Sequence, residues 1–436
     1  MGGHESKGSS GELAFQSSEE KQSLQSSFAA VASEVSWKCH RSNLEKHWLA
    51  KLDDGFLSLL LGFLYSEASE EGINFYTYAR LYNIFLKGDL AEQVEIINTM
   101  ICKSSHANKT RTTDLLEYVR SIVSSYIKAH REMPKLQSWF PKLSDTNNDH
   151  FNRLVEYFTR DIIHGSSFHG KDTFSAEMPP SRDLEIEEVK NWLNKSSEEE
   201  ESYCSKNFLV PTCLSVPGHF QLKSVLDTTS LIMLNSALPP ECRNEWHFLF
   251  SSSFHGESFS KMLGCMIKKG PSIVIIVDSS GSVFGGFASA SWELCPKFYG
   301  DERSFLFSVL PKMGIYRPTG YNDHFMYLNV QQQTLPNGLG MGGQFGYFGF
   351  WLESEYGKGH SSKSCTTFDC PQLTPATEFE IRHVEVWAVG KPPPTPQELG
   401  ERSSVLEGNY EAKALLSMAG KEEHSLGYRE KKDLDL

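Results

Sequence analysis

From about residue 21 to 195, apolar positions recur at helical spacing. Leu115, Val119, Ile122 and Tyr126 fall on one face, with Leu116, Val123 and Ile127 beside it. This is the i, i+3/i+4, i+7 pattern of an amphipathic helix. Thr112 or Thr113 suits its N-terminal cap, and His130 and Arg131 suit its C-terminal end. Comparable stretches predict helices near 44–66, 75–87, 90–103, 150–163 and 184–194. The run from Lys195 to Ser202, with four consecutive glutamates, is a solvated linker.

After about residue 205 the pattern changes. Leu231–Ala237 predicts a helix stopped by Pro239-Pro240, and Ser258 opens a second helix that ends near Gly270. Ser272-Ile-Val-Ile-Ile-Val-Asp278 is an unbroken apolar run, which predicts a strand buried on both faces. Ser279–Ser282 is the turn that pairs it with Val283–Trp292 as a hairpin. Further strands are predicted at Trp246–Ser251, Phe305–Leu310, Phe325–Val330, Tyr347–Leu352 and Phe379–Val389. Pro392-Pro-Pro394 closes this mostly antiparallel region. Thr395-Pro-Gln-Glu398 reads as a capping box. A last amphipathic helix is predicted from Asn409 to Gly420, with Ala412, Leu415, Leu416 and Ala419 as its stripe.

The segment 281–360 is the most unusual in composition. It holds 14 glycines and 17 aromatics against 5 Lys/Arg and 6 Asp/Glu, a mixture suited to short strands and tight turns over a dense aromatic core. The whole chain of 436 residues carries a formal charge of −13, which argues against nucleic acid as its main partner. Nine scattered cysteines without a C-x-x-C spacing read as reduced thiols. The longest apolar run, Phe56–Tyr65, is far short of the about 20 residues that span a bilayer. Met1-Gly2-Gly3-His4-Glu5-Ser6 fits an N-myristoylation pattern on Gly2. A single such chain gives marginal binding, on the order of 10⁴ M⁻¹. Lys7 is the sole basic residue besides His4 in the first twenty, so a protein partner at the membrane supplies the second anchor better than lipid charge does.

Several motifs suggest chemistry. Asn337-Gly-Leu-Gly-Met-Gly-Gly343 has the spacing of a nucleotide-binding loop, but a strand-like run follows it where a phosphate site needs a helix. Structural glycines at a turn, packed closely against strands, account for it better. Asp145, Asn147, Asp149 and Glu156 match positions 1, 3, 5 and 12 of a calcium loop. His150 replaces the sharp-turn glycine, and Pro141 falls where the incoming helix should end. A capped helix N-terminus is the simpler reading. His360, Cys365 and Cys370 are three soft ligands at a spacing that fits no zinc pattern. A hydrolase could draw on His255, Glu257 or Glu385 with a nearby Ser or Cys. Asp323-His324 is adjacent in sequence, and in a strand such neighbours point apart.

The β region resembles a TLDc domain. The matching runs are Leu249–Ser260, Lys269–Ser272, Val283–Ser289 with Trp292, Tyr299–Asp301 with Phe305–Phe307, Gly338–Gly343, Cys365–Phe368 and Val384–Trp387. Together they cover about 222–391. The resemblance implies an α+β chain. A lipid-bearing disordered N-terminus (1–20) precedes a helical domain (21–195), open to an EF-hand-like reading. A linker (196–221), a β-sandwich flanked by helices (222–391) and a tail with a short helix (392–436) follow.

The resemblance also implies binding to the proton-pumping V-ATPase, no established catalytic residues, no cofactor, and a link to oxidative-stress resistance. Tyr321–Leu328 and the chain layout resemble in particular a lysosomal member of the family, which implies a non-enzymatic adaptor on the cytoplasmic face of the lysosome, with mTOR complex components as partners. Tyr321, Asn322 and Asp323, and Leu415 and Leu416 on the final helix, are candidate partner-binding residues.

Overall fold

A computed structural model describes residues 17–34, 36–66, 72–102, 110–139, 142–143, 147–164, 181–198, 209–218 and 222–394. Gly2, Asp145, Leu415, Leu416 and the whole Asn409–Gly420 stretch lie outside these residues. The chain divides into two compact units.

The first unit is helical. Its elements are α1 (Ser18–Ala29), α2 (Arg41–Trp48), α3 (Asp54–Leu64), α4 (Phe75–Lys87), α5 (Leu90–Cys102), α6 (Thr112–His130), α7 (Pro134–Gln137), α8 (Asn148–His164) and α9 (Ile186–Glu198). The sequence pattern over 44–66 predicts one helix where the structure has two. Asp53 caps the second, accepting the Gly55 N–H at 2.9 Å and the Ser124 hydroxyl at 3.0 Å. An aspartate gains more from that cap than from a helix interior.

The helices pair as helix–loop–helix units. Cys39 bridges Ile73 between the α1–α2 and α3–α4 connections. The short strands β1 (Thr110–Arg111) and β2 (Asp183–Leu184) do the same between the α5–α6 and α8–α9 connections. Within these pairs α1 packs on α4, α2 on α3, α5 on α9 and α6 on α8. Helix–loop–helix units joined loop to loop are the architecture of paired EF-hands. The loops involved are not the one that the acidic pattern suggested. Residues 148–156 are helical, and Asn147 accepts the His150 N–H at 2.9 Å as a cap. From 148 onward the candidate ligand segment is helix rather than loop. Asn147 is occupied by the cap, and Asp149 and Glu156 are helix residues.

The second unit is built on β3 (Thr212–Leu214), β4 (Glu245–Ser251), β5 (Ser272–Asp278), β6 (Val283–Ala288), β7 (Cys295–Tyr299), β8 (Phe305–Leu310), β9 (Gly314–Tyr316), β10 (Met326–Asn329), β11 (Gly338–Met341), β12 (Phe350–Glu353), β13 (Lys358–His360) and β14 (Glu378–Val389). Helices α10 (Thr228–Ala237), α11 (Ser252–His255) and α12 (Phe259–Met266) accompany them. β14 belongs to two layers. Its first residues pair with β13, which continues through β12, β11 and β10 to β7. Its later residues lie between β4 and β5, and the order continues through β6 and β8 to β9.

The two layers share one core. Phe250, Val274, Ile276, Phe284 and Leu306 of one meet Met326, Leu328, Leu339, Met341, Phe350 and Leu352 of the other. Gly286 marks one close approach: a Cβ there would sit 2.5 Å from Met341 Sδ and 3.1 Å from Phe350. The architecture is α+β, with a helical unit followed by a β-sandwich accompanied by helices.

Residues 138–139 and 142–143 belong to this second unit rather than to the helical one that precedes it in sequence. Trp139 is fully buried and packs against Trp246 and Trp387, with ring centroids at 5.8 and 5.0 Å. Its indole N–H donates to Pro211 O at 3.0 Å, and Ser138 Oγ accepts the Cys213 N–H at 2.8 Å.

Candidate interaction surface

The glycine-rich stretch is neither a nucleotide loop nor wholly a turn. Gly338–Met341 forms β11, paired with β10 and β12. The turn comes after it, at Gly342 and Gly343, whose φ angles are +73° and +77°. A Cβ on Gly343 would fall 1.9 Å from Tyr347 O, so only glycine lets the two backbones approach this closely. The following residues fold into a tight hairpin. Tyr347 N–H donates to Gln344 O at 2.8 Å, and Gly346 has φ +77°. The hairpin lifts Phe345 and Tyr347 into solvent, Tyr347 being 65% exposed.

Beside it runs the β9–β10 loop. It exposes Tyr321, at 80%, and Asp323. Asn322 points inward and anchors the loop. Its Oδ1 accepts the Thr367 hydroxyl at 2.7 Å and the His324 N–H at 3.2 Å, and its Nδ2 donates to Thr366 Oγ1 at 3.1 Å. The Thr319 hydroxyl donates to Thr366 O at 2.7 Å, and Thr367 Oγ1 accepts the Gly343 N–H at 2.8 Å. His324 Nδ1 is 2.6 Å from Gly343 O, and its ring stacks on Phe298 at 4.2 Å. Phe298 in turn stacks on Phe345 at 5.3 Å. Loop and hairpin are thus tied to each other and to residues 366–367. Between them lies a shallow depression of about 650 Å³, floored by Phe298 and rimmed by Lys297, Asp323, Gln344 and Phe345.

Such a surface is suited to recognition. Aromatic side chains held by stacking lose little entropy on binding and bury large apolar area. The sequence marked Tyr321, Asn322 and Asp323; the structure exposes the first and third and makes the second their anchor. Phe345 and Tyr347 were missed because Gln344–Trp351 reads as one strand. Gly346 is the residue that breaks it.

The hydrolase candidates do not converge. Glu257 is exposed. His255 is sandwiched by Phe248 and Phe250, and its Nδ1 accepts the Ser251 N–H at 3.2 Å. Burial holds its pKa below the ordinary histidine value. Glu385 partners His383 instead, at 3.2 Å, and the Ser252 hydroxyl reaches the other ring nitrogen at 2.8 Å. The order serine–histidine–carboxylate is that of a hydrolase relay. Here Ser252 is 7% exposed and Glu385 is fully buried, and Ser252 Oγ also receives the Val384 N–H. Glu385 accepts the Ser224 hydroxyl at 2.7 Å, the Val225 N–H at 2.9 Å and the Trp387 indole N–H at 3.3 Å. The network fastens β14, β4 and the segment before α10 to one carboxylate.

His360 stacks on Trp351 rather than joining Cys365 and Cys370. Among the described residues no group of three or more His, Cys, Asp or Glu side chains is placed to hold a metal, and no helix is long and apolar enough to cross a membrane.

A two-layer antiparallel sandwich with a central long strand, short flanking helices and this composition defines a TLDc unit, and residues 219–390 match the TLDc domain. The β unit begins earlier than that match, since Trp139 completes its core. MTOR-associated protein MEAK7 of Mus musculus is 37% identical over 359 residues, covering 79% of this chain and 78% of the mouse protein. The chain belongs to the family of these TLDc proteins. The Gallus gallus protein of the same name is 52% identical over 224 residues, 51% of this chain, and there the chain spans about half of the relative's length, 47%. Oxidation resistance protein 1 of Bos taurus is 30% identical over 177 residues, covering 40% of this chain and 19% of that protein.

Proposed function

We propose that this chain is a lysosome-associated adaptor whose TLDc unit binds the V-ATPase and supports mTOR signalling. The observation that carries the reading is the anchored aromatic surface of Tyr321, Phe345 and Tyr347. Its exposed aromatic rings are edged by the charged and polar groups of Lys297, Asp323 and Gln344, and an aromatic centre with a polar rim favours protein recognition over turnover of a small substrate. The mTOR part rests on the name of the MEAK7 relatives. Myristate on Gly2 and the stripe of Leu415 and Leu416 are a membrane anchor and a second contact in this reading.

Purified V-ATPase should be retained by the immobilised full chain and lost when Tyr321 and Tyr347 are both changed to Ala. Gly2→Ala should move the protein from lysosomal membranes to cytosol, and deletion of 405–436 should weaken pump binding. Retention of pump by the double variant at wild-type affinity would refute the surface assignment.

A further inference from the structure

The turn that anchors the interaction loop also carries two thiols. Cys365 and Cys370 are both buried, 2% and 0% exposed, and each thiol shifts the ionisation of the other. Ser364 and Pro371 bridge in antiparallel fashion and bring the two ends of this turn together. The backbone N–H groups of Phe368 and Thr367 favour the charged form of the Cys365 sulfur. It lies directly under the glycine turn: a Cβ on Gly342 would come 2.6 Å from it.

We infer that Cys365 and Cys370 form a modification site, oxidised by hydrogen peroxide to an intramolecular disulfide beneath the interaction surface. Backbone N–H groups converging on one sulfur stabilise a thiolate as they stabilise other anions. The Cys370 thiol and these N–H groups lower the Cys365 pKa to about 7 against its burial, and Cys370 is pushed up. Cys213 and Cys242 are raised by burial to about 11 and about 12. The pair is therefore distinguished from the other buried thiols.

The Cys365 thiolate attacks one peroxide oxygen, and the O–O bond breaks. The products are a sulfenic acid and hydroxide, which takes up a proton to become water. The Cys370 sulfur then attacks the sulfenic sulfur, forming the S–S bond and expelling a second water as its own proton leaves. Two thiols lose two electrons and two protons, and one peroxide becomes two waters. Burial limits access to a small oxidant during local opening of the turn. Thr366 and Thr367 sit between the two cysteines in sequence and hold Asn322, so closing the pair acts on the loop that presents Tyr321.

The test is titration of the reduced full chain with hydrogen peroxide, followed by non-reducing peptide mapping. The expected result is a loss of about 2 Da per chain in a peptide linking Cys365 to Cys370, with Cys213 and Cys242 still reduced. Cys370→Ser should stop the reaction at a sulfenic acid on Cys365, trapped by dimedone, and Cys365→Ser should abolish both products. Amide exchange over 319–325 should change on oxidation of the wild type and not of Cys370→Ser. Oxidation of other cysteines while 365 and 370 remain reduced, or no linked peptide at excess peroxide, would overturn the inference. These readouts do not involve the V-ATPase, so their failure is separable from failure of the binding assignment.

Discussion

Asn322 Oδ1 accepts the hydroxyl of Thr367 at 2.7 Å, and that bond joins the loop that exposes Tyr321 to the turn beneath it. Asn322→Ala removes this bond and two others. At about 1 kcal/mol for each partly buried hydrogen bond, the loss should be about 1–3 kcal/mol. Urea unfolding measures it. Amide exchange over 319–325 should rise by more than exchange in β5.

Glu385 satisfies four donors from within the core. Glu385→Ala strands Ser224, His383 and Trp387 and should cost about 3–5 kcal/mol. Glu385→Gln keeps one acceptor oxygen and should cost less. Ser252→Ala should lower stability while leaving surface binding unchanged. Turnover of a small p-nitrophenyl ester that disappears in Ser252→Ala would instead revive the hydrolase reading.

Gly286 lies where the two layers pack closely. Gly286→Ala must displace Met341 and Leu306 side chains, and overpacking of this kind costs about 1–3 kcal/mol. Thermal unfolding should show the drop, and Met341→Ala should partly relieve it.

His360 contributes to the loss of stability in mild acid. Burial lowers the pKa of His360, partly offset by Glu378. The unfolded chain takes up a proton below about pH 6.5 that the folded ring resists. Stability from this group is therefore full above that pH and falls as pH drops through it toward the depressed value. His360 Nε2 has no hydrogen-bond partner, and the ring rests on Trp351 and Phe348. His360→Phe should keep the packing and raise Tm at pH 5.5 relative to wild type by more than at pH 8.

Much of this was legible in the sequence because burial leaves a strong pattern. The apolar run Ser272–Asp278 forms β5 with the predicted bounds, and the 75–87 helix is α4. The short strands β7, β9 and β13 were not legible, since three to five residues with mixed polarity carry no period. β11 was hidden because its glycines look like turn residues until Phe348 and Trp351 are seen to cover Gly340. The Trp139 contribution could not be read locally: it depends on a segment about a hundred residues away from β4 in sequence. The interaction surface was half visible. Tyr321 stood out, but Asn322 as anchor required Thr366 and Thr367, which approach only through the fold.

The most direct test of the account is the affinity of purified V-ATPase for the full chain and for Tyr321→Ala/Tyr347→Ala, measured side by side by biolayer interferometry. Both residues are solvent-facing, so the variant should unfold at the wild-type temperature. The account predicts at least a tenfold loss of affinity, about 1.4 kcal/mol. Equal affinity in a variant of unchanged stability would contradict it.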